Sequence, residues 1–268
     1  MLQLELPQGT WCYERYGSGS PVLLLHGLGS ARQDWQAQWL ALSQHYLVIC
    51  VDLPGHGEGR RLLQHTTLPA LAAELAAFID ALELGPCAVV GLSMGGMYGF
   101  ELLAQRPDLV TRFVAINTAP HFPVDTWQIR SKLWLRERLV RWLGLPALAG
   151  TLAKKLFPYP AQAPLREQLI ARISANRMPD YLHALRAFIG WSALPRLAGV
   201  NTPILVVSGD RDYTPLAFKR AYVAELANAR LEVIVDSGHA TPLDQPEALN
   251  QLILSFLAEP LPLKSPAA

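Results

Sequence analysis

The sequence has few cysteines and few charged residues. Its 268 residues include only three cysteines, at Cys12, Cys50 and Cys87, an odd number that cannot pair fully within one chain. We interpret them as small core residues in a reducing compartment, and predict neither a disulfide nor a metal site. Charged residues make up 17% of the chain and the net charge is +1. This composition gives no basic surface of the kind that binds nucleic acid, so we predict no nucleic-acid partner.

Long hydrophobic runs are also missing. No stretch approaches the length of a membrane span, and residues 1–7 lack the positive charge and apolar core of a signal peptide. We therefore predict a cytoplasmic protein with no stable membrane insertion. The segment 130–142 is basic, aromatic and helical in pattern, which can indicate a membrane-surface helix. Core packing with a solvated edge explains such a pattern more often, and we predict that arrangement here.

Residues 91–96, Gly-Leu-Ser-Met-Gly-Gly, contain the most informative motif of the chain. They follow an apolar run, 86–90, and lead directly into a helical pattern. A serine can occupy a sharp turn between a strand and a helix only if its neighbours two positions away lack bulk, as Gly91 and Gly95 do. The motif predicts that Ser93 is a nucleophile and that the backbone N–H of Met94 faces the oxygen of the group it attacks.

Three further motifs follow apolar runs that read as buried strands. The first is the turn 26–29, His-Gly-Leu-Gly. The second, 209–215, offers Asp212 as an acid, with Asp210 as a competitor two residues away. The third, 236–242, offers His239 as a base. Serine, acid and histidine in this chain order form a set that can activate a hydroxyl nucleophile.

The ordered motifs resemble those of the α/β-hydrolase superfamily over nearly the whole chain, from about Tyr13 to about Leu257. The turn 51–57, Val-Asp-Leu-Pro-Gly-His-Gly, is similar to the turn after that family's fourth strand. The resemblance implies a mostly parallel eight-stranded sheet with covering helices. It also implies that Asp212 rather than Asp210 is the acid, and that the N–H of Leu28 joins that of Met94 in an oxyanion hole.

Strand and helix patterns alternate along the chain except between 119 and 195, where only helical patterns occur. We predict an α/β-hydrolase core formed by 1–118 and 196–258, with a helical cap inserted at 119–195 and a flexible tail at 259–268. The cap patterns cover 127–143, 145–156, 164–175 and 179–191.

Four residues are expected to line the substrate pocket beneath this cap. His121 follows the sixth strand where the resemblance places the border of the acyl pocket. Trp127, Phe188 and Trp191 are the aromatic residues of the cap that we expect to shape an apolar pocket.

A serine nucleophile excludes the dehalogenases and epoxide hydrolases of this fold, because they require a carboxylate nucleophile. The motif around Ser93 resembles those of bacterial carboxylesterases and enol-lactonases. We therefore predict a cofactor-free carboxylic ester hydrolase that acts on small to medium esters. Two alternatives stay open, a lactone or C–C bond hydrolase with the same triad and a non-catalytic ligand-binding relative. The natural substrate and the oligomeric state, including homo-oligomers, stay open too.

Overall fold

The computed structural model describes residues 1–261. Eight strands form one sheet in the order β1-β2-β4-β3-β5-β6-β7-β8. The pairs β1 with β2 and β2 with β4 are antiparallel, and all other pairs are parallel. The prediction of a mostly parallel eight-stranded sheet is thus confirmed. The strands are β1 Leu2–Leu6, β2 Gly9–Tyr16, β3 Pro21–Leu25, β4 Leu47–Val51, β5 Cys87–Leu92, β6 Val110–Ile116, β7 Ile204–Gly209 and β8 Ala229–Ile234.

The central strands are apolar on both faces because helices cover both sides of the sheet. Alternate residues of β5 illustrate this arrangement. Val89 packs into one hydrophobic cluster with Phe78 and Phe100, whereas Val90 packs into the opposite cluster with Phe256. The α-helices are α1 Gln36–Leu42, α2 Leu68–Ala81, α3 Met94–Gln105, α4 Trp127–Leu156, α5 Ala163–Ser174, α6 Met178–Ala187, α7 Leu216–Ala224, α8 Thr241–Asp244 and α9 Pro246–Ala258.

Helices α4, α5 and α6 lie between β6 and β7, inside the segment predicted as the cap. They enclose a separate hydrophobic cluster that includes Val140, Phe157 and Tyr181. Gly144 has a φ of 78° and bends α4 where the sequence pattern separates two helices. The domain bounds themselves remain a prediction, and residues 262–268 of the predicted tail lie outside the described part of the chain.

The last cap helix is shorter than its sequence pattern predicts. The pattern extends to Trp191, but α6 ends at Ala187, and Phe188 forms the C-terminal cap. Gly190 then adopts a φ of 75°, which a helix cannot accommodate. The prediction for residues 188–191 is therefore wrong, and Trp191 lies on a turn.

None of the described helices combines enough length and hydropathy to cross a bilayer. No group of three or more His, Cys, Asp or Glu side chains in this part of the chain could share a metal ion.

Candidate active site

Ser93 occupies a strained turn between β5 and α3. Its backbone angles, a φ of 52° and a ψ of −114°, lie in a region that residues other than glycine rarely adopt. The turn is tight enough that a Cβ on Gly91 would overlap the Gly95 carbonyl, and a Cβ on Gly95 would overlap the Leu25 carbonyl. The two glycines flanking Ser93 are therefore required by the close approach of backbone, as the motif indicates.

Asp212 and His239 form a direct pair at the carboxyl ends of β7 and β8. The distance from His239 Nδ1 to Asp212 Oδ1 is 2.7 Å, and the Asp212 carboxylate is fully buried. Burial alone would raise the pKa of Asp212, but the hydrogen bond from His239 and the charge of Lys219 outweigh it, and the net shift is downward. Asp212 is thus a carboxylate that can hold His239 in the tautomer with its proton on Nδ1.

Asp210, the competing acid, has a different set of contacts. Its Oδ1 accepts a hydrogen bond from the Ser237 N–H at 3.0 Å and lies 3.9 Å from Arg211. The geometry therefore places Asp212 beside His239 and uses Asp210 to fix the loop that precedes the histidine.

Lys219 is a buried cation that neutralises Asp212 from the side opposite His239. Its side chain is fully buried, and Nζ forms a salt bridge with Asp212 Oδ2. Nζ also donates to Ser208 Oγ at 2.6 Å and to Asn117 Oδ1 at 3.3 Å. Burial lowers the pKa of this ammonium group, and the carboxylate of Asp212 opposes that shift. The buried acid is therefore held between a cation and an imidazole.

Asn117 connects the loops that carry the acid and the histidine. Its Nδ2 donates to the backbone oxygen of His239 at 2.9 Å and to Thr241 Oγ1 at 2.8 Å. Its Oδ1 accepts from the Gly209 N–H at 2.9 Å. Because Asn117 is only 2% exposed, these charge-free hydrogen bonds are shielded from water and fix one loop against the other.

Tyr213 contacts the nitrogen of His239 that would have to accept the proton of a serine nucleophile. The Tyr213 hydroxyl lies 2.8 Å from His239 Nε2, and the two rings stack with centroids 4.1 Å apart. Half of Tyr213 is exposed, yet burial around its hydroxyl raises its pKa. Tyr213 therefore occupies the nitrogen of His239 that would accept the proton of Ser93.

The two predicted oxyanion-hole residues lie on either side of Ser93. Met94 is the first residue of α3, and the turn that carries Leu28 approaches so closely that a Cβ on Gly27 would lie 3.5 Å from Ser93 Cβ. Among the described residues, neither the Leu28 nor the Met94 N–H donates to a backbone carbonyl. Both amides thus remain available for an oxyanion.

His26 holds the same turn in place. Its Nε2 accepts from the Leu53 N–H at 3.0 Å, and its Nδ1 lies 2.8 Å from the Gly27 carbonyl oxygen, to which it donates. Both ring nitrogens are occupied, and burial lowers the pKa of His26. The neutral ring therefore fixes the turn 26–29 to the backbone at Leu53.

The four predicted pocket residues lie in different environments. Trp127 is 73% exposed, which does not fit a lining role. His121 is half-buried, contacts the ring of Phe218 at 5.1 Å and pairs through its backbone with Ser192. Phe188 is buried against Phe122, with ring centroids 5.2 Å apart.

Trp191 is anchored in the core next to α3. It is 7% exposed, and its Nε1 donates to Glu101 Oε2 at 2.7 Å. The carboxylate of Glu101 is fully buried and is also paired with Arg196. A ring held in this way has little freedom to adapt to a ligand, so its contacts favour a packing role.

We expect Trp191→Ala to lower the free energy of unfolding by about 3 to 5 kcal/mol, because it removes a large buried ring and leaves a cavity. The ratio of kcat/KM for a short and a bulky ester is expected to change less than about twofold. Urea denaturation and paired kinetics measure both quantities. Trp127→Ala, the same change at an exposed site, is the control and should leave stability nearly unchanged. If Trp191→Ala instead changed the ester preference at normal stability, Trp191 would line the pocket as predicted.

Sequence reasoning missed Lys219, Asn117 and Tyr213. Only Lys219 carries a readable signal, because it shares one face of α7 with the buried Tyr222. A lysine on the buried face of a helix requires a buried partner.

The chain is similar to known proteins over most of its length. The model of the alpha/beta hydrolase family matches residues 22–252. The chain is 31% identical over 259 residues to the inferred carbamate hydrolase RutD of Enterobacter cloacae subsp. cloacae, covering 93% of this chain and 96% of that protein. It is 27% identical over 248 residues to 3-oxoadipate enol-lactonase 2 of Acinetobacter baylyi, covering 90% of each. A solved structure of a thermophilic esterase from Thermogutta terrifontis is 26% identical, with a TM-score of 0.85 and coverage of 96% and 97%.

Proposed function

The chain belongs to the alpha/beta hydrolase family, and from this premise we propose that it hydrolyses carboxylic esters through an acyl intermediate on Ser93. The observation that carries this proposal is the strained turn at Ser93, which shares the sheet edge with a histidine whose Nδ1 lies 2.7 Å from a buried carboxylate. A hydroxyl group is a weak nucleophile, and this arrangement supplies the base that activates it.

In the proposed reaction, Ser93 Oγ attacks the ester carbonyl carbon while its proton moves to His239 Nε2. The negative charge that develops on the carbonyl oxygen is held by the N–H groups of Leu28 and Met94. The alcohol leaves with the proton from His239. Water, deprotonated by His239, then attacks the acyl-serine, and the carboxylic acid leaves as Ser93 recovers its proton.

Lactone hydrolysis is a second candidate, supported by the similarity to an enol-lactonase over 90% of both chains. A lactone is a cyclic ester, so the same residues would open it by the same steps. The only difference is that the released hydroxyl stays attached to the acyl group.

A pulse of p-nitrophenyl ester followed by rapid acid quenching tests the proposal. We expect the peptide that contains Ser93 to gain the mass of the acyl group. A panel of p-nitrophenyl esters of rising chain length, a lactone and a ring-fission dienoate would identify the reaction class. If none of the esters or lactones is turned over and Ser93 is never acylated, the chain is not an ester hydrolase, and a C–C hydrolase or a binding role replaces it.

Tyr213 has to release His239 before the histidine can accept the proton of Ser93. We therefore expect Tyr213→Phe to raise kcat/KM for a neutral ester by about two- to tenfold, the equivalent of one net hydrogen bond. Steady-state kinetics of the variant measure this change, with Tyr159→Phe as a control that removes a hydroxyl outside the triad. A fall of more than about tenfold would instead identify the Tyr213 hydroxyl as a catalytic donor.

A further inference from the structure

Arg136 of helix α4 is a half-buried cation without an acidic partner. Its Nε is buried and has no hydrogen-bond partner among residues 1–261, and in that range no carboxylate forms a salt bridge with it. Its Nη2 donates to the hydroxyl of Tyr181, whose ring centroid lies 5.7 Å from the guanidinium carbon. Three other cap arginines have acidic partners: Arg172 with Asp34, Arg177 with Asp180, and Arg186 with Glu137.

The position of Arg136 relates this cation to Ser93. Tyr181 is fully buried and packs over the turn that carries the predicted oxyanion amide, since a Cβ on Gly29 would lie 3.1 Å from its ring. The same turn lies beside the nucleophile, since a Cβ on Gly27 would lie 3.5 Å from Ser93 Cβ. Arg136 binds the Tyr181 hydroxyl, so both residues lie next to the turn that faces Ser93. The guanidinium also lowers the pKa of the Tyr213 hydroxyl, which contacts His239.

Lys155 is a second cation near Tyr213. Lys155 Nζ lies 5.2 Å from the centre of the Tyr213 ring and forms no salt bridge with a residue between 1 and 261. The other nearby cation, Arg211, is compensated by Asp236 at 3.2 Å. Removing a guanidinium from water without a counter-charge is costly, so a half-buried and unpaired arginine is better explained by an anionic ligand than by stability.

We infer that Arg136 and Tyr181 form a subsite for a carboxylate on the substrate. This inference rests on the proposed function and adds to it the substrate class, esters or lactones that carry a free carboxylate on the acyl part. The planar guanidinium offers its free Nε–H and a neighbouring N–H to one carboxylate. The buried Tyr181 hydroxyl accepts from Arg136 and positions the guanidinium. Lys155 adds attraction at the exposed side of the cleft.

The test compares p-nitrophenyl hydrogen adipate with p-nitrophenyl hexanoate, which have the same acyl length and differ in the terminal carboxylate. We expect the wild-type protein to prefer the anionic ester. Arg136→Gln should lower kcat/KM for the anionic ester by about 10- to 100-fold, as for the loss of a hydrogen-bonded charge pair, and change the neutral ester by less than about threefold. Arg138→Gln, the same change two residues away on the exposed face of α4, should alter neither rate.

Two further measurements remain informative if Arg136→Gln folds poorly. Arg136→Lys keeps the positive charge but loses the planar guanidinium, so it should retain part of the preference for the anionic ester. Tyr181→Phe should lower the preference only a few-fold, in keeping with the loss of one hydrogen bond that positions Arg136. Free adipate should also inhibit hexanoate hydrolysis competitively in the wild type and more weakly in the Arg136 variants.

The possible failures are distinguishable. If the wild type hydrolyses the neutral ester as well as the anionic one and adipate does not inhibit, the carboxylate subsite is wrong but the proposed function stands. Equal losses for both esters in all Arg136 and Tyr181 variants would show that these residues are structural. If neither ester is hydrolysed and Ser93 is not acylated, the proposed function itself has failed.

Discussion

Replacing Ser93 by alanine should lower ester turnover by about 10³- to 10⁶-fold while leaving the fold intact. The change removes the attacking oxygen and nothing else, because alanine keeps the Cβ in the strained turn. Activity that survives would come only from binding and from the oxyanion amides of Leu28 and Met94, which are backbone groups that a side-chain change does not delete. The loss should appear in kcat and equally for every ester of the panel.

The matched control is Ser131→Ala on the exposed face of α4, where the serine hydroxyl donates to a backbone carbonyl of its own helix. This variant should keep full activity. Circular dichroism and urea denaturation of both variants separate a catalytic loss from a folding defect. If Ser93→Ala keeps more than a tenth of the wild-type activity, Ser93 is not the nucleophile.

The sequence could predict the parts of the site that depend on local pattern. Ser93, Asp212 and His239 each follow an apolar run, and the three runs become β5, β7 and β8. Because parallel strands end at the same edge of a sheet, side chains that follow these strands gather there. The order of motifs along the chain therefore predicts that these segments meet, whereas the choice of Asp212 over Asp210 depended on the family resemblance.

The contacts around these residues could not be read in the same way. Asn117 reaches both catalytic loops from β6, and Arg136 reaches the cleft from a helix inserted after that strand. Neither contact produces a periodic pattern in the sequence, because both depend on how the cap and the sheet pack against each other. Trp127 illustrates the reverse case, in which an aromatic residue of the cap points to solvent. Hydrophobicity alone does not show which way a helix turns its aromatic face.

Segment 130–142 was predicted to combine core packing with a solvated edge, without a choice of which residues face which way. In the structure Trp134 and Trp142 are 58% and 73% exposed, and the side chain of Arg138 lies over both rings. The core-facing positions of this helix are held by other residues, including the buried Val140.

Asp212→Asn should have two large and separable effects. An amide cannot stabilise a protonated imidazole or enforce the correct tautomer of His239, so kcat/KM is expected to fall by about 10²- to 10⁴-fold. The same change leaves the buried ammonium of Lys219 without its counter-charge. Breaking a buried ion pair from one side costs about 3 to 5 kcal/mol of folding free energy. By contrast, Asp210→Asn should lower kcat/KM less than about tenfold, because Asp210 only fixes the loop before His239.

The double variant Asp212→Asn with Lys219→Met separates these effects, because it removes both buried charges. We expect urea denaturation to show that most of the lost stability returns, while kcat/KM stays as low as in Asp212→Asn alone. The pH dependence of unfolding gives an independent check. The lowered pKa of Asp212 means that its contribution to stability is present above the unfolded pKa of about 3.9 and is lost as the pH falls through the lower folded value. This acid-sensitive part should disappear in the double variant. A larger loss of activity in Asp210→Asn, or recovery of activity in the double variant, would mean that the carboxylate of Asp212 does not orient the histidine.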